Sequence, residues 1–206
     1  MSTVADPLGT LVRTGQMAAL TGHRRRRIVR VLRARSTPIA ERRLAVRVAA
    51  AERGASVDAV PAAAAEDVGL ALRHVHLPAL TDAGLVERTE GGVVAAEALR
   101  SNPWIGQLVD ADSENWDAVL SSLADGQRQT VLAILEDRDD ATSVEALARV
   151  TAARDEDSSP DAVRAALHHR HLPALAAADL IGYDAADGTV TYRGHPDLPP
   201  LAALEG

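Results

Sequence analysis

The sequence contains no cysteine, no lysine and no phenylalanine, and aromatic residues make up only 2% of its 206 residues. The missing cysteine excludes disulfides, cysteine-ligated zinc and thiol catalysis. No apolar run approaches the roughly 18 residues of a membrane-spanning helix, and the N-terminus lacks the basic-then-apolar order of a signal peptide. We therefore expect a soluble, cytoplasmic protein with no membrane partner and a core of Ala, Leu, Val and Ile.

All 22 cationic residues are arginines, and Asp outnumbers Glu. A GC-rich genome favours Arg and Ala but does not readily drive lysine to zero. Short carboxylates on a lysine-free surface suit a cytoplasm that holds molar salt. We favour halophilic adaptation as the cause of this composition, with GC bias as the alternative.

The net charge of −7 is unevenly distributed. Residues 1–100 carry 15 Arg against 10 acidic residues, a net +5, and residues 101–206 carry 7 Arg against 19 acidic residues, a net −12. Such a difference between halves indicates that they perform separate tasks.

The chain is an internal duplication. Residues 72–80 read LRHVHLPAL and residues 167–175 read LHHRHLPAL, at an offset of 95. Upstream, Leu20 and Arg25 match Leu123 and Arg128 at an offset of 103. The eight extra residues of the first copy fall around residues 56–65. Two collinear blocks of this length indicate two small domains rather than solenoid repeats.

Each copy has the same predicted order of three helices and a β-hairpin. In the first copy we predict helices over about residues 22–35, after Pro38 in a first-turn position, and from near Glu66. A hairpin follows over residues 85–94. The second copy has strands over residues 180–183 and 189–192, joined by the turn Asp187-Gly188.

The segment between the copies holds both tryptophans. Trp104 and Trp116 are each the first of a series of apolar residues at helical spacing, which predicts two helices. Ser113 is a plausible N-cap for the second of these helices. We expect the two helices to pack the domains together as a pseudo-dimer within the chain. The alternative is a homodimerisation surface.

The string HLPALTDAGLV at residues 76–86 resembles the HLxxLxxAGLV that ends the recognition helix and enters the wing of ArsR-type regulators. With the Arg-rich first helix and the hairpin, both copies resemble a haloarchaeal winged-helix-like domain family of unassigned function. This resemblance implies a mainly α fold with small β-hairpins, in which two tandem winged helix-turn-helix domains are joined by a helical linker. The implied boundaries are 12–95 for a basic domain, 96–122 for the linker and 115–193 for an acidic domain.

Two features of the sequence depart from the ArsR pattern. Asp179 replaces the glycine in the second copy, and Pro78 and Pro173 lie where ArsR proteins have a smooth helix. Each proline removes one i→i−4 hydrogen bond, so we predict a kink or a restart of the helix.

The spacing of the histidines along the sequence argues against a metal site. Residues two apart on a helix point about 200° apart, so His74 and His76 cannot chelate one ion unless the backbone breaks. His76 and His171 lie on apolar faces, where we expect each to bond a carbonyl freed by the following proline. No nucleophile elbow, phosphate loop or catalytic set is present, so we predict a non-enzyme with no cofactor and no metal.

The arginines are the main candidates for function. We predict that the first copy binds double-stranded DNA as a transcription regulator and that the acidic copy serves for pairing or partner contact. The alternative is a protein-interaction module that has lost DNA binding, and a salt-bridged surface is the simplest interpretation of the Arg run. The predicted DNA-binding residues are Arg24, Arg26, Arg27, Arg42, Arg43, Arg73, His74 and Arg88.

Overall fold

The computed structural model describes the backbone of residues 7–111, 113–138, 140–154, 158–198 and 200–201, and the side chains of these ranges from residue 14 onward except residue 103. Within them the chain is mainly helical with small antiparallel hairpins, as the sequence predicts. It divides into two compact units. The first unit comprises residues 18–111, and the second comprises residues 112–206 together with the chain up to Met17.

The first unit contains one copy of the repeat. Its elements, after the helix α1 (Pro7–Leu20) that leads into it, are α2 (His23–Arg33), α3 (Glu41–Arg53), a 3-10 turn (Val57–Ala59), α4 (Ala62–Ala71), a π-helical turn (Leu72–His76), α5 (Leu77–Asp82), β1 (Val86–Thr89), β2 (Gly92–Ala95), α6 (Glu97–Ser101) and α7 (Pro103–Asp110).

The second unit repeats this order. Its elements are α8 (Trp116–Leu123), α9 (Gly126–Glu136), β3 (Thr142–Ser143), α10 (Val144–Ala152), α11 (Pro160–Ala166), a second π-helical turn (Leu167–His171), α12 (Leu172–Ala177), β4 (Ile181–Asp184) and β5 (Thr189–Tyr192). The predicted helices and hairpins are therefore present in both copies, although the third helix of the first copy begins at Ala62 rather than near Glu66.

The core of each copy is aliphatic, as the composition requires. Ile28 and Leu32 of α2 and Leu44 and Val48 of α3 are fully or almost fully buried. Their counterparts in α9 and α10 are buried in the same way, and β1 and β4 cover one side of the helices with Val86 and Ile181. Helix amphipathicity with a 3.6-residue period places these side chains on one face.

A third extended segment pairs with each hairpin, and the sequence pattern did not predict it. Ile39 forms an isolated antiparallel bridge with Val93, and β3 pairs with β5 at the corresponding place. Pro38 therefore precedes this bridge instead of lying in the first turn of α3, which begins at Glu41. The expectation of a first-turn proline was wrong because the residues after Pro38 are extended.

Both proline-containing motifs form a π-helical turn that ends two residues before the proline. The N–H of Leu77 bonds to the carbonyl of Leu72, and the N–H of Leu172 bonds to that of Leu167, so each bond spans five residues instead of four. A proline cannot donate a hydrogen bond, and the wider turn takes the chain past it into α5 and α12. The predicted restart is present, because α5 begins at Leu77 and α12 at Leu172, each with its proline in the first turn. The π-helical turn that precedes each restart was not predicted.

The connection from helix to hairpin uses a left-handed residue in both copies. Gly84 has φ 67° and Asp179 has φ 57°. Asp is one of the few side chains that tolerate this region, which explains how the second copy keeps the turn without the glycine of the ArsR pattern.

The segment predicted as a linker is divided between the two units. In the first unit α7 packs on α2 and buries Trp104, and in the second unit α8 packs on α9 and α12 and buries Trp116. Asn115 rather than Ser113 occupies the N-cap position of α8, without a side-chain capping bond, and the hydroxyl of Ser113 bonds the carboxylate of Asp197. Among the described residues, no helix is long and apolar enough to cross a membrane.

Candidate nucleic-acid interface

The arginine run at the start of α2 is largely engaged within the first unit. Arg24 forms a bidentate pair with Glu52, in which Arg24 Nη2 donates to Glu52 Oε2 at 2.9 Å. This pairing raises the pKa of Arg24 and lowers the pKa of the Glu52 carboxyl below its ordinary value. Arg25 Nε donates to the carbonyl of Thr21 at 2.9 Å. The guanidinium groups of these two residues therefore stabilise the fold.

Arg26, a predicted DNA contact, is buried. Its Nη1 donates to the carbonyl of Leu20 at 3.1 Å, and the residue is 5% exposed. A guanidinium in this position does not reach a phosphate on the surface. Arg27, the last residue of the run, is half-buried on α2. Of the predicted contacts in this run, Arg24 and Arg26 are occupied by contacts within the protein.

The arginines of α3 have a different environment. Arg42, Arg43 and Arg47 are exposed, and within the described part of the chain their guanidinium groups have no hydrogen bond or ion pair. With Val46 and Val57 they line a surface depression of about 490 Å³, and no carboxylate is among its described lining residues. This is the densest group of unengaged cations among the described residues of the first unit.

Glu41 forms ion pairs with two other predicted DNA-binding residues, Arg73 and Arg88. Its two carboxylate oxygens lie 3.5 Å from Arg73 Nε and 3.6 Å from Arg88 Nη2. Glu41 is in the first turn of α3, Arg73 is in the π-helical turn and Arg88 is on β1. These ion pairs are largely exposed and contribute little stability. Their importance is geometric, because they place three elements on one surface.

His74 is exposed beside Arg73 on the π-helical turn. The same surface carries acidic and apolar groups. Glu66 and Leu70 lie on α4 near Arg73, and Leu70 is 64% exposed. Between α3 and α4 lies a groove of about 590 Å³ whose lining includes Arg42, Leu70 and Arg73. The candidate interface is thus a cationic surface beside a groove whose lining is partly apolar and partly charged.

The second copy lacks the α3 cluster. At the repeat offset, Arg42, Arg43 and Arg47 correspond to Glu145, Ala146 and Val150. The arginines on its third helix have acidic partners. Arg164 lies 3.7 Å from Asp161, and Arg170 donates to Asp125 at 3.2 Å. The charge difference between the halves therefore extends to the individual positions of the candidate interface.

The two core histidines differ from the expected arrangement. Within the described residues, His171 is 2% exposed with no hydrogen bond to either ring nitrogen, and His76 Nδ1 is buried without one. Neither ring bonds a carbonyl freed by proline, so that expectation was wrong. Burial lowers the pKa of both histidines below the ordinary value. In the same part of the chain no three His, Asp or Glu side chains form a group that could hold a metal ion.

Sequence reasoning did not single out Glu41 or Leu70. Glu41 was detectable as an acid in the first turn of a predicted helix, where it complements the helix dipole. Its pairing with two distant arginines depends on the tertiary fold and leaves no local signal. Leu70 was hidden because an apolar residue in an amphipathic helix is ordinarily assigned to the core.

The sequence model of the family described as "Domain of unknown function (DUF7344)" matches residues 17–95 and 120–191. Together the two matches cover most of the chain, and the chain belongs to this family as a tandem pair of its domains. Comparison with curated proteins and with solved structures finds no match.

Proposed function

We propose that this tandem DUF7344 protein is a DNA-binding transcription regulator that contacts double-stranded DNA through its first copy. The order of α2, the Ile39 bridge, α3, α4 and the hairpin supports a winged helix-turn-helix assignment for each copy. In that arrangement the third helix, which here starts as α4, enters the major groove, while the second helix (α3) and the wing (the β1–β2 hairpin) approach the DNA backbone.

The observation that carries this proposal is the convergence at Glu41. Arg73 from the third helix and Arg88 from the hairpin meet the first turn of α3 there, beside the unengaged Arg42 and Arg43. A duplex is bound through neutralisation of its phosphates by cations on one continuous surface. Arginine also binds guanine edges or phosphate oxygens in a bidentate manner, which assigns Arg73 and His74 to the groove and Arg42, Arg43 and Arg88 to the backbone.

The second copy has a separate role in this proposal. Its acidic character disfavours contact with the phosphate backbone, and Glu145 stands where the first copy has Arg42. We assign it to pairing or to contact with a protein partner. Packing through the Trp104 and Trp116 helices as a pseudo-dimer, with homodimerisation as the alternative, remains part of this proposal.

The test compares two multiple variants in the full chain. One variant replaces Arg42, Arg43 and Arg73 by Ala, and the matched control replaces the exposed Arg149 and Arg164 of the second copy. Binding to the DNA upstream of the chain's own coding region is measured by fluorescence anisotropy at several KCl concentrations. Each lost phosphate contact lowers the slope of log K against log salt by about 1, and Arg42 and Arg43 are the two phosphate contacts that the first variant removes. We therefore expect a loss of about 2 in the slope of the first variant and none in the control. Equal losses in the two variants, or none in the first, would refute the assignment.

A second candidate function is supported by Leu70. This side chain is 64% exposed at the groove between α3 and α4, which Val46 and Val60 also line, and contiguous apolar surface marks protein-contact sites. In this alternative the cations beside the groove dock an acidic protein. A Leu70→Ser variant distinguishes the two functions, because DNA affinity in the main proposal depends on the arginines and is retained.

A further inference from the structure

Glu41 lies between two of the arginines that the proposed function assigns to DNA. Its Oε2 is 3.5 Å from Arg73 Nε and its Oε1 is 3.6 Å from Arg88 Nη2, so one carboxylate faces both guanidinium groups. Guanine edges and phosphate oxygens are acceptors for the same groups. A duplex can therefore engage these two arginines fully only by taking the place of Glu41.

The backbone brings the three side chains together without help from the carboxylate. Arg88 is opposite Val93 in the hairpin, and Val93 exchanges two backbone hydrogen bonds of 2.9 Å with Ile39, two residues before Glu41. On the other side, α4 and the π-helical turn that carries Arg73 pack against α3. The positions of both arginines thus follow from the strand register and the helix packing.

The second copy builds the same junction without an acid. At the repeat offset, the buried Val144 stands in the place of Glu41. His168 and Tyr183 stand in the places of the two arginines, and His168 Nδ1 lies 2.6 Å from the Tyr183 hydroxyl oxygen. The third helix and the hairpin therefore meet directly in this copy. The acid accompanies the arginines of the first copy and is not a requirement of the fold.

The two ion pairs of Glu41 matter more to a bound polyanion than to the folded state. The side chains of Arg73 and Arg88 are 66% and 45% exposed, and exposed ion pairs contribute little stability. When DNA approaches, the carboxylate either releases both arginines or stays paired with them and reduces their charge. In both cases Glu41 opposes the neutralisation of phosphates on which the affinity depends.

We propose that Glu41 restrains DNA binding by competing with the duplex for Arg73 and Arg88. This role rests on the proposed DNA-binding function and adds to it a residue that lowers the affinity. Within the described part of the chain Arg42 and Arg43 have no ion pair, so they supply the contacts that do not depend on Glu41.

The test is a Glu41→Gln substitution in the full chain, which removes the charge and keeps the size of the side chain. Binding to a labelled mixed-sequence duplex and to the DNA upstream of the chain's own coding region is measured by fluorescence anisotropy at several KCl concentrations. Arg88 is the arginine of the two that is assigned to phosphate, so its release should make the slope of log K against log salt steeper by about 1. This change corresponds to a gain of up to about tenfold in affinity at about 0.1 M KCl.

Glu97→Gln is the matched control. It removes the same charge from the first unit, and the ion pair of Glu97 is with Arg100 at 3.4 Å, outside the surface proposed for DNA. Thermal unfolding verifies that both variants are folded, and the control should leave the slope unchanged. A folded Glu41→Gln variant that binds DNA no better, or an equal gain in the two variants, would overturn the proposal. Weaker binding would show that the carboxylate positions the arginines for DNA instead of competing with it.

A second comparison asks whether Glu41 acts through the two arginines. In a chain that carries Arg73→Ala and Arg88→Ala, Glu41→Gln should lose most of its effect on the affinity, and an undiminished gain would contradict the proposal. The unaltered chain separates the two proposals. If it binds neither duplex, the DNA-binding function is refuted and the role of Glu41 falls with it. If it binds DNA and Glu41→Gln gains nothing, only the role of Glu41 is refuted.

Discussion

Gly92 offers a sharp test of the bridge that ties α3 to the hairpin. A Cβ at this position would lie 2.6 Å from the carbonyl carbon of Ile39 and closer still to its oxygen. Both are backbone atoms, and they belong to the bridge in which Ile39 and Val93 exchange two hydrogen bonds of 2.9 Å. A Gly92→Ala substitution therefore cannot be accommodated by rotation of a side chain, and the bridge must open.

The expected cost combines two contributions. Gly92 has φ 120°, and a positive φ costs an L-residue about 1–2 kcal/mol. Opening the bridge removes two hydrogen bonds of about 1 kcal/mol each. The sum of about 3–4 kcal/mol corresponds to a fall of at least about 12 °C in the melting temperature of a domain of this size.

Thermal unfolding and native-state amide exchange measure this effect, and exchange resolves the first unit from the second. The matched control is Gly54→Ala, because Gly54 has φ 59° but no atom lies within 4 Å of the position that an added Cβ would take. The free energy of unfolding of this control should fall only by the cost of the positive φ, about 1 kcal/mol. If Gly92→Ala destabilises the first unit no more than Gly54→Ala does, the bridge does not hold the hairpin and the reasoning is wrong.

Two further predictions concern solution conditions. Burial lowers the pKa of His171 in the folded protein below the ordinary 6.5, so the unfolded chain takes up a proton first as the pH falls below about 6.5, and the free energy of unfolding decreases. Urea unfolding at pH 8 and pH 5 measures this decrease, and the His171→Leu substitution should make the difference between the two pH values smaller. Molar KCl should raise the melting temperature, because it strengthens apolar burial and screens repulsion within the acidic half, and a flat or falling value would contradict halophilic adaptation.

The order of elements was predictable because each leaves a local pattern. Apolar residues at helical spacing identified α2 and α3, and the turn Asp187-Gly188 identified the second hairpin. The Ile39 bridge was missed because a single extended residue has no periodicity and its pairing is non-local. The helix α1 was not predicted either.

The candidate interface was only partly predictable for a related reason. Four consecutive arginines on a helix point in directions about 100° apart, so one of them must face inward. Arg26 precedes the buried Val29 by three residues and so shares its face, which was a readable signal. The engagement of Arg24 by Glu52 depends on a contact between residues 28 apart and left no such signal.

The burial of one tryptophan in each unit gives each unit its own fluorescent reporter. Trp104 belongs to the first unit and Trp116 to the second, and the chain has no other tryptophan. Replacing either indole leaves an emission signal that reports on a single unit within the intact chain. Trp116 also lies against the ring of His195, with centroids 5.1 Å apart. The emission of the second unit therefore also reports on whether this ring contact is kept.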